Sequence, residues 1–154
     1  LRYFNVYGPH EQHKGNMASV AFHLHNQLKK DNKIKLFEGS DKFDDGEQRR
    51  DFIYIDDIVN AIKKAANKPN IGGEVFQIAT SRETSVQELK DVILKKIKKY
   101  SKNKIKVFYS NSIKGEIKRN YSDTRKAKNI LNWEAKTFLD TGREKTIKYF
   151  LKNS

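Results

Sequence analysis

Cysteine is absent from this 154-residue chain. Its absence removes disulfides, thiolate metal sites and thiol nucleophiles together, and it fits a reducing compartment. Methionine occurs once, as Met17 inside a patterned segment, so a chain that opens at Leu1 is expected to be truncated at its N-terminus. No apolar run approaches the ~20 residues that a membrane-spanning helix needs, and a soluble, cytoplasmic protein with no membrane partner is expected. Also missing is any Gly-x-x-Gly-x-x-Gly between a strand and a helix. Without it no dinucleotide phosphate cradle is visible, so the chain is not expected to hold a whole cofactor alone.

Acidic residues are outnumbered, 19 against 32 lysines and arginines, for a net charge of +13. Clustered cations would point to nucleic acid, because they release counterions on binding phosphate. Here they are mostly lysines scattered along helix faces, such as Lys63-Lys64 and Lys95-Lys96, with no aromatic stacking platform among clustered arginines. Solvated helix faces account for them, and no nucleic-acid partner is expected. The excess does suit a polyanionic small substrate.

Length and pattern together give one compact unit over residues 1–154. Leu1 to Asn5 reads as a short strand stopped by the Gly8-Pro9 turn. Asn16 is expected to cap a helix from Met17 to about Lys30, with Val20, Leu24 and Leu28 as its buried stripe. Ile34 to Phe37 predicts a second strand, and the polar stretch from Glu38 to Arg49 a long loop. Asp51 to Ile55 predicts a strand running into a helix whose apolar face is Ile58, Ala61, Ile62 and Ala65. Val75 to Ala79 reads as a buried strand. Ser85 and Glu88 form a capping box for a helix through Lys99. Ile105 to Tyr109 alternates as a strand, Asp123 caps a short helix, and a last helix spans about Leu139 to Leu151. Strands alternating with helices argue an α/β fold.

Candidate chemistry concentrates near the start. Asn5, His10, Glu11, His13, Lys14 and Asn16 crowd around Tyr7-Gly8-Pro9, just past a strand end where α/β proteins usually hold ligands. Plain polar surface explains the same residues equally well. A lysine there would serve as acid or base if a desolvated cleft or a neighbouring cation lowered its pKa. His10, His13, His23 and His25 lack a metal-site spacing, so no metal is expected. Arg49-Arg50 could clamp a phosphate or pair with Asp44, Asp45 or Glu47. Tyr100 and Lys104 have a Tyr-x-x-x-Lys spacing, but they lie where a helix gives way to a strand and need not share a face.

The segments LRYFNVYGP (Leu1 to Pro9), RRDFIYIDDIVNAI (Arg49 to Ile62), GGEVFQIAT (Gly72 to Thr80) and the stretch from Lys114 to Gly142 resemble landmarks of the extended short-chain dehydrogenase/reductases, the NAD-dependent epimerase/dehydratase family. EQHKGNMASVAFHLHNQL (Glu11 to Leu28), KLFEGS (Lys35 to Ser40) and DDGEQRRDF (Asp44 to Phe52) resemble, more narrowly, the ADP-glyceromanno-heptose 6-epimerase branch. That resemblance implies the C-terminal substrate-binding part of an extended Rossmann fold, with the N-terminal cofactor-binding part missing. A few strands, about residues 1–5 and 75–79, would complete the Rossmann sheet.

Position by position, the resemblance makes Asn5 a substrate contact and Val6 a neighbour of the nicotinamide end of NADP. Lys14 becomes a catalytic acid/base that also lies near the cofactor. Asn16, His23, Phe37, Glu38, Gly39, Ser40, Arg50 and Ile117 become substrate-binding positions. Two depart from the pattern: Asn16 stands where the family often has serine, and Ile117 where it has a substrate-binding tyrosine. The implied reaction is redox-neutral. Hydride leaves C6 of ADP-heptose for NADP, a carbonyl forms, the intermediate turns, and hydride returns to the other face. Lys14 and a tyrosine on a helix preceding Leu1 would be the two proton carriers. The full-length protein is expected to be a homo-oligomer serving lipopolysaccharide synthesis, and the fragment alone inactive. Other nucleotide-sugar 4-epimerases or dehydratases, and a basic nucleic-acid module, are the alternatives.

Overall fold

The computed structural model describes residues 1–39, 44–97, 105–111 and 117–152. The strands are β1 (Arg2–Tyr3), β2 (Val6–Tyr7), β3 (Lys33–Phe37), β4 (Arg49–Arg50), β5 (Ile53–Tyr54), β6 (Gln77–Ile78), β7 (Thr84–Ser85) and β8 (Lys106–Ser110). The helices are α1 (Val20–Asp31), α2 (Ile55–Ala66), α3 (Val86–Ile97), α4 (Arg125–Leu131) and α5 (Leu139–Lys152), with a 3-10 stretch over Gln12–Met17. Strands β1 and β6, β2 and β5, and β3 and β8 pair parallel, and β4 pairs antiparallel with β7. The expected α/β class holds.

The strand expected over Leu1 to Asn5 is divided. Arg2 and Tyr3 pair with Gln77 and Ile78, whereas Val6 and Tyr7 pair with Ile53 and Tyr54. Asn5 is the crossing point, because its carbonyl accepts from Ile53 N (3.2 Å) and its amide donates to Asp51 O (3.0 Å). The strand expected from Val75 to Ala79 shortens to two residues, and Val75 is 49% exposed.

Helix α1 starts later than its sequence pattern implied. Gly15, at φ 52° and ψ −127°, turns the chain out of any helix through Asn16. Ser19 takes the capping role, its Oγ accepting from Phe22 N (3.3 Å). Leu24 and Leu28 are buried as expected, and Ala21 and His25 join them. On α2, Ile58 and Ala61 are buried but Ile62 is 44% exposed. It lies about 100° round the helix from Ala61, past the stripe that packs on β5 and α4. The capping box of α3 is reciprocal: Glu88 N donates to Ser85 Oγ (3.0 Å) and Ser85 N to Glu88 Oε2 (2.8 Å). Its expected end at Lys99 lies outside the described residues, as do Tyr100 and Lys104. Thr124, rather than Asp123, occupies the cap position of α4, while the Asp123 carboxylate accepts from Arg125 N (2.9 Å).

Two apolar clusters fill the interior. One joins Leu24, Ile34, Leu36, Leu89 and Ile147 around Tyr7; the other joins Ile53, Ile58, Phe76, Ile78 and Trp133. Removing any of these side chains would cost roughly 2–5 kcal/mol through lost burial and the cavity left behind. The 133–137 segment is tied to the start of α2 by Asp57, whose carboxylate accepts from Lys136 N (3.1 Å) and Thr137 N (3.0 Å). Helix α5 meets β2 where Gly142 faces Tyr7: a Cβ on Gly142 would run into the Tyr7 hydroxyl and come within 3.0 Å of the Tyr54 ring. No described helix is long and apolar enough to cross a membrane.

Candidate functional site

Where α1 packs beside β3 there is a cavity of about 430 Å³ lined by Asn16, Val20, His23, Leu24, Gln27, Lys35, Leu36, Phe37, Gln48, Arg50 and Val86. That volume falls within the roughly 300–1,000 Å³ typical of small-molecule sites. Asn16, His23, Phe37 and Arg50 are brought together here from four separate stretches of chain. Apolar walls from Val20, Leu24, Leu36 and Val86 stand beside polar groups from Gln27, Lys35, Gln48 and Arg50, the combination that orients a polar ligand.

Arg50 is buried, and its Nη1 donates to Arg49 O (3.0 Å). Of the two readings of the arginine pair, Arg49 takes the acidic one, reaching Glu47 at 3.5 Å. Gln48 is held by its Nε2 donating to Glu38 O (3.2 Å). Gln27 is held by its Oε1 accepting from Lys35 N (2.7 Å), which leaves its amide nitrogen to donate elsewhere. Glu38 N donates to Ser110 O (2.8 Å), and Gly39 N to Asp45 Oδ1 (2.7 Å), so both follow Phe37 off the end of β3 without lining the cavity. Ser40 lies outside the described residues.

Lys14 sits two residues before Asn16, in the 3-10 stretch, with its side chain 36% exposed and its ammonium 3.8 Å from Glu11 Oε2. The same loop carries His10 in the left-handed region (φ 63°), its Nδ1 bonded to the Tyr149 hydroxyl at 2.9 Å. His23 Nε2 lies 3.4 Å from Asn16 O, and His25 packs on Phe150 on the other side of α1. Among the described residues no three histidine or carboxylate side chains gather as a metal site would require.

Asn5 and Val6 stand beyond the end of β1 and on β2, and neither lines the cavity. Ile117 is 56% exposed at the head of the segment that runs beside β4, where Arg49 N donates to Lys118 O (2.8 Å). Tyr7 is the nearest phenol in sequence to Lys14, but burial pushes its pKa well up, which unsuits it to proton transfer near neutrality. A separate cavity of about 80 Å³ beside Thr80 and Phe138 is too small for a sugar nucleotide.

Sequence reasoning missed Val20, Leu24, Gln27, Lys35, Leu36, Gln48 and Val86 as cavity walls, although Val20, Leu24 and Leu36 were expected in helix or strand. The alternation of Lys35 and Phe37 about buried Leu36 was the available signal for a second face of β3.

Residues 1–79 match the family described as the NAD dependent epimerase/dehydratase family. A curated relative, ADP-L-glycero-D-manno-heptose-6-epimerase of Thiobacillus denitrificans, is 49% identical over 89 residues, which is 58% of this chain and 26% of that protein. Among solved structures, UDP-glucose 4-epimerase of Thermotoga maritima superposes with a TM-score of 0.80 at 34% identity, covering 99% of this chain and 45% of that one. ADP-L-glycero-D-manno-heptose-6-epimerase of Helicobacter pylori superposes with a TM-score of 0.81 at 27% identity, covering 97% of this chain and 42% of that one. The chain thus spans less than half the length of these relatives.

Proposed function

The chain belongs to the NAD dependent epimerase/dehydratase family, and on that premise we propose that it is the substrate-binding, C-terminal part of an epimerase that inverts C6 of ADP-glycero-manno-heptose on NADP. What supports the reading is the convergence of Asn16, His23, Phe37 and Arg50 on one cavity beside the Lys14 loop, in a chain 49% identical over 89 residues to a heptose epimerase.

In this reading Arg50 offers a planar guanidinium to the diphosphate, and Lys35 adds a second positive charge at the same cavity. Asn16 and His23 hydrogen-bond the sugar, and Phe37 covers it. The resemblance adds Asn5, Glu38, Gly39, Ser40 and Ile117 as further substrate contacts, of which Asn5, Glu38, Gly39 and Ile117 stand outside the lining of the cavity. Lys14 takes the hydroxyl proton on one face of the sugar or returns it on the other. Partial exposure suits that task, since the amine must exchange its proton between turnovers.

Val6 is apolar and half-buried, a surface that fits the flat face of a nicotinamide ring rather than the cofactor's phosphates. When bound, NADP supplies reversible hydride transfer. Its phosphate cradle and the partner tyrosine would come from protein preceding residue 1. We place the whole enzyme in the cytoplasm as a homo-oligomer, with its product directed to lipopolysaccharide core heptose.

A second reading, a UDP-sugar 4-epimerase or dehydratase, is favoured by the 34% identity to the Thermotoga maritima enzyme. Full-length protein containing bound nicotinamide, offered a panel of nucleotide sugars and followed by NMR, separates the two. Interconversion of the ADP-heptose C6 epimers is expected; turnover of UDP-sugars alone would transfer the assignment to the second reading.

A further inference from the structure

Glu11 is the most confined carboxylate around the Lys14 loop. It is 2% exposed, and both of its oxygens are committed. Oε1 accepts from Gly8 N (3.1 Å) and Ser19 Oγ (2.8 Å), and Oε2 accepts from Ser19 N (2.6 Å) while facing Lys14 Nζ at 3.8 Å. A buried carboxylate costs several kcal/mol unless it is hydrogen-bonded and paired, so this arrangement is held as a unit. It joins the end of β2, the cap of α1 and the one lysine between them. The backbone repeats the tie, with Lys14 N donating to Glu11 O at 3.0 Å before Gly15 reverses the chain.

We propose that Glu11 is the positioning residue for Lys14: it fixes where the ammonium sits while leaving the ammonium's hydrogens for the substrate. A charge-assisted hydrogen bond between ammonium and carboxylate spans about 2.7–2.9 Å. At 3.8 Å the pair has Coulombic attraction without that bond, so no donor is consumed. A free lysine side chain carries about 2 kcal/mol of rotamer entropy. An anchored counter-charge narrows that freedom before the sugar arrives, which lowers the ordering cost at the reacting centre. This inference rests on the reading of Lys14 as a proton carrier.

Because the same carboxylate staples the loop, a purely structural role must be distinguished. Full-length protein with bound NADP is assayed on the ADP-heptose epimers as wild type, Glu11→Gln, Lys14→Met and the double variant, with nucleotide-sugar Kd by calorimetry. Glu11→Gln is expected to lower kcat about 10- to 100-fold while Kd and KM stay within about threefold, and to lower kcat less than about twofold when Lys14 is already methionine. Glu11→Asp, which restores the charge, is expected to recover part of the loss, and it replaces Glu11→Gln in the cycle if that variant does not fold. An equal loss in both Lys14 backgrounds, a loss in Kd instead of kcat, or an unchanged kcat in folded Glu11→Gln each overturns the proposal. A Lys14→Met protein with wild-type kcat instead overturns the proton-carrier reading on which it rests.

Discussion

Thr80 gives both its backbone N–H (2.8 Å) and its hydroxyl (2.6 Å) to a single oxygen of Asp51, a carboxylate with no exposed surface. This contact links the end of β6 to the segment between β4 and β5, next to the point where Asn5 crosses from one strand pair to the other. Burial raises the Asp51 pKa above 3.8, and the bonds from Thr80 oppose that shift by favouring the ionised form. An acid held above its unfolded value contributes most to stability below about pH 3.8, and that contribution is lost as pH rises through the raised value. Thr80→Val removes a bond to the charged form. It should therefore cost about 1–3 kcal/mol at neutral pH and less near pH 4, as read from urea unfolding of the full-length protein at both pH values. An equal cost at both would count against the account of Asp51.

His25 should impose a slope in the mildly acidic range. Burial first, and then the charge of Lys29, hold its pKa below 6.5. The unfolded chain then takes up a proton at a higher pH than the folded chain, so stability falls as pH drops from about 6.5 toward the depressed value. The imidazole packs on Phe150 with ring centroids 4.8 Å apart, so Leu fills similar space without a proton to gain. His25→Leu is expected to flatten the dependence of the thermal midpoint on pH between about 5 and 7. A slope equal to that of the parent would show that another group titrates there.

Signals confined to a few neighbouring residues were legible in the sequence. The Ser85–Glu88 box, the spacing of Leu24 and Leu28, and the strand through Ile34 to Phe37 each depend on local geometry, and each is found. Asn16 misled because it has the chemistry of a cap, yet the backbone of Gly15 prevents the helix from beginning there. Ile62 misled because periodicity does not say how wide a stripe the neighbouring elements cover. The cavity was legible only in part. Asn16, His23, Phe37 and Arg50 were identified through family resemblance, whereas Gln48 and Val86 meet the α1–β3 side of it through β4–β7 pairing across long stretches of chain. No sequence periodicity encodes such pairing.

Packing between α5 and β2 offers a test independent of function. Gly142→Ala places a methyl against the Tyr7 hydroxyl, which itself donates to Leu139 O (3.4 Å). Overpacking of this kind costs about 1–3 kcal/mol. Tyr7→Phe removes the oxygen in the way, so the Tyr7→Phe, Gly142→Ala pair should recover part of the lost thermal midpoint. Strictly additive losses would place the strain elsewhere.

Arg50 should govern binding more than turnover. Arg50→Met is expected to weaken nucleotide-sugar binding to the full-length protein by about 2–5 kcal/mol, measured by calorimetry. Arg50→Lys should restore only part of this, since an ammonium lacks the planar fork that meets two phosphate oxygens. Unchanged affinity in a folded Arg50→Met protein would remove the diphosphate from this cavity.

The central claim is spatial, and a crystal structure of the full-length protein with ADP-heptose measures it most directly. The account requires the diphosphate against Arg50, the sugar between His23 and Phe37, and the Lys14 amine within hydrogen-bonding reach of the heptose side chain. A sugar bound elsewhere, or a Lys14 amine separated from it by protein, would contradict the account.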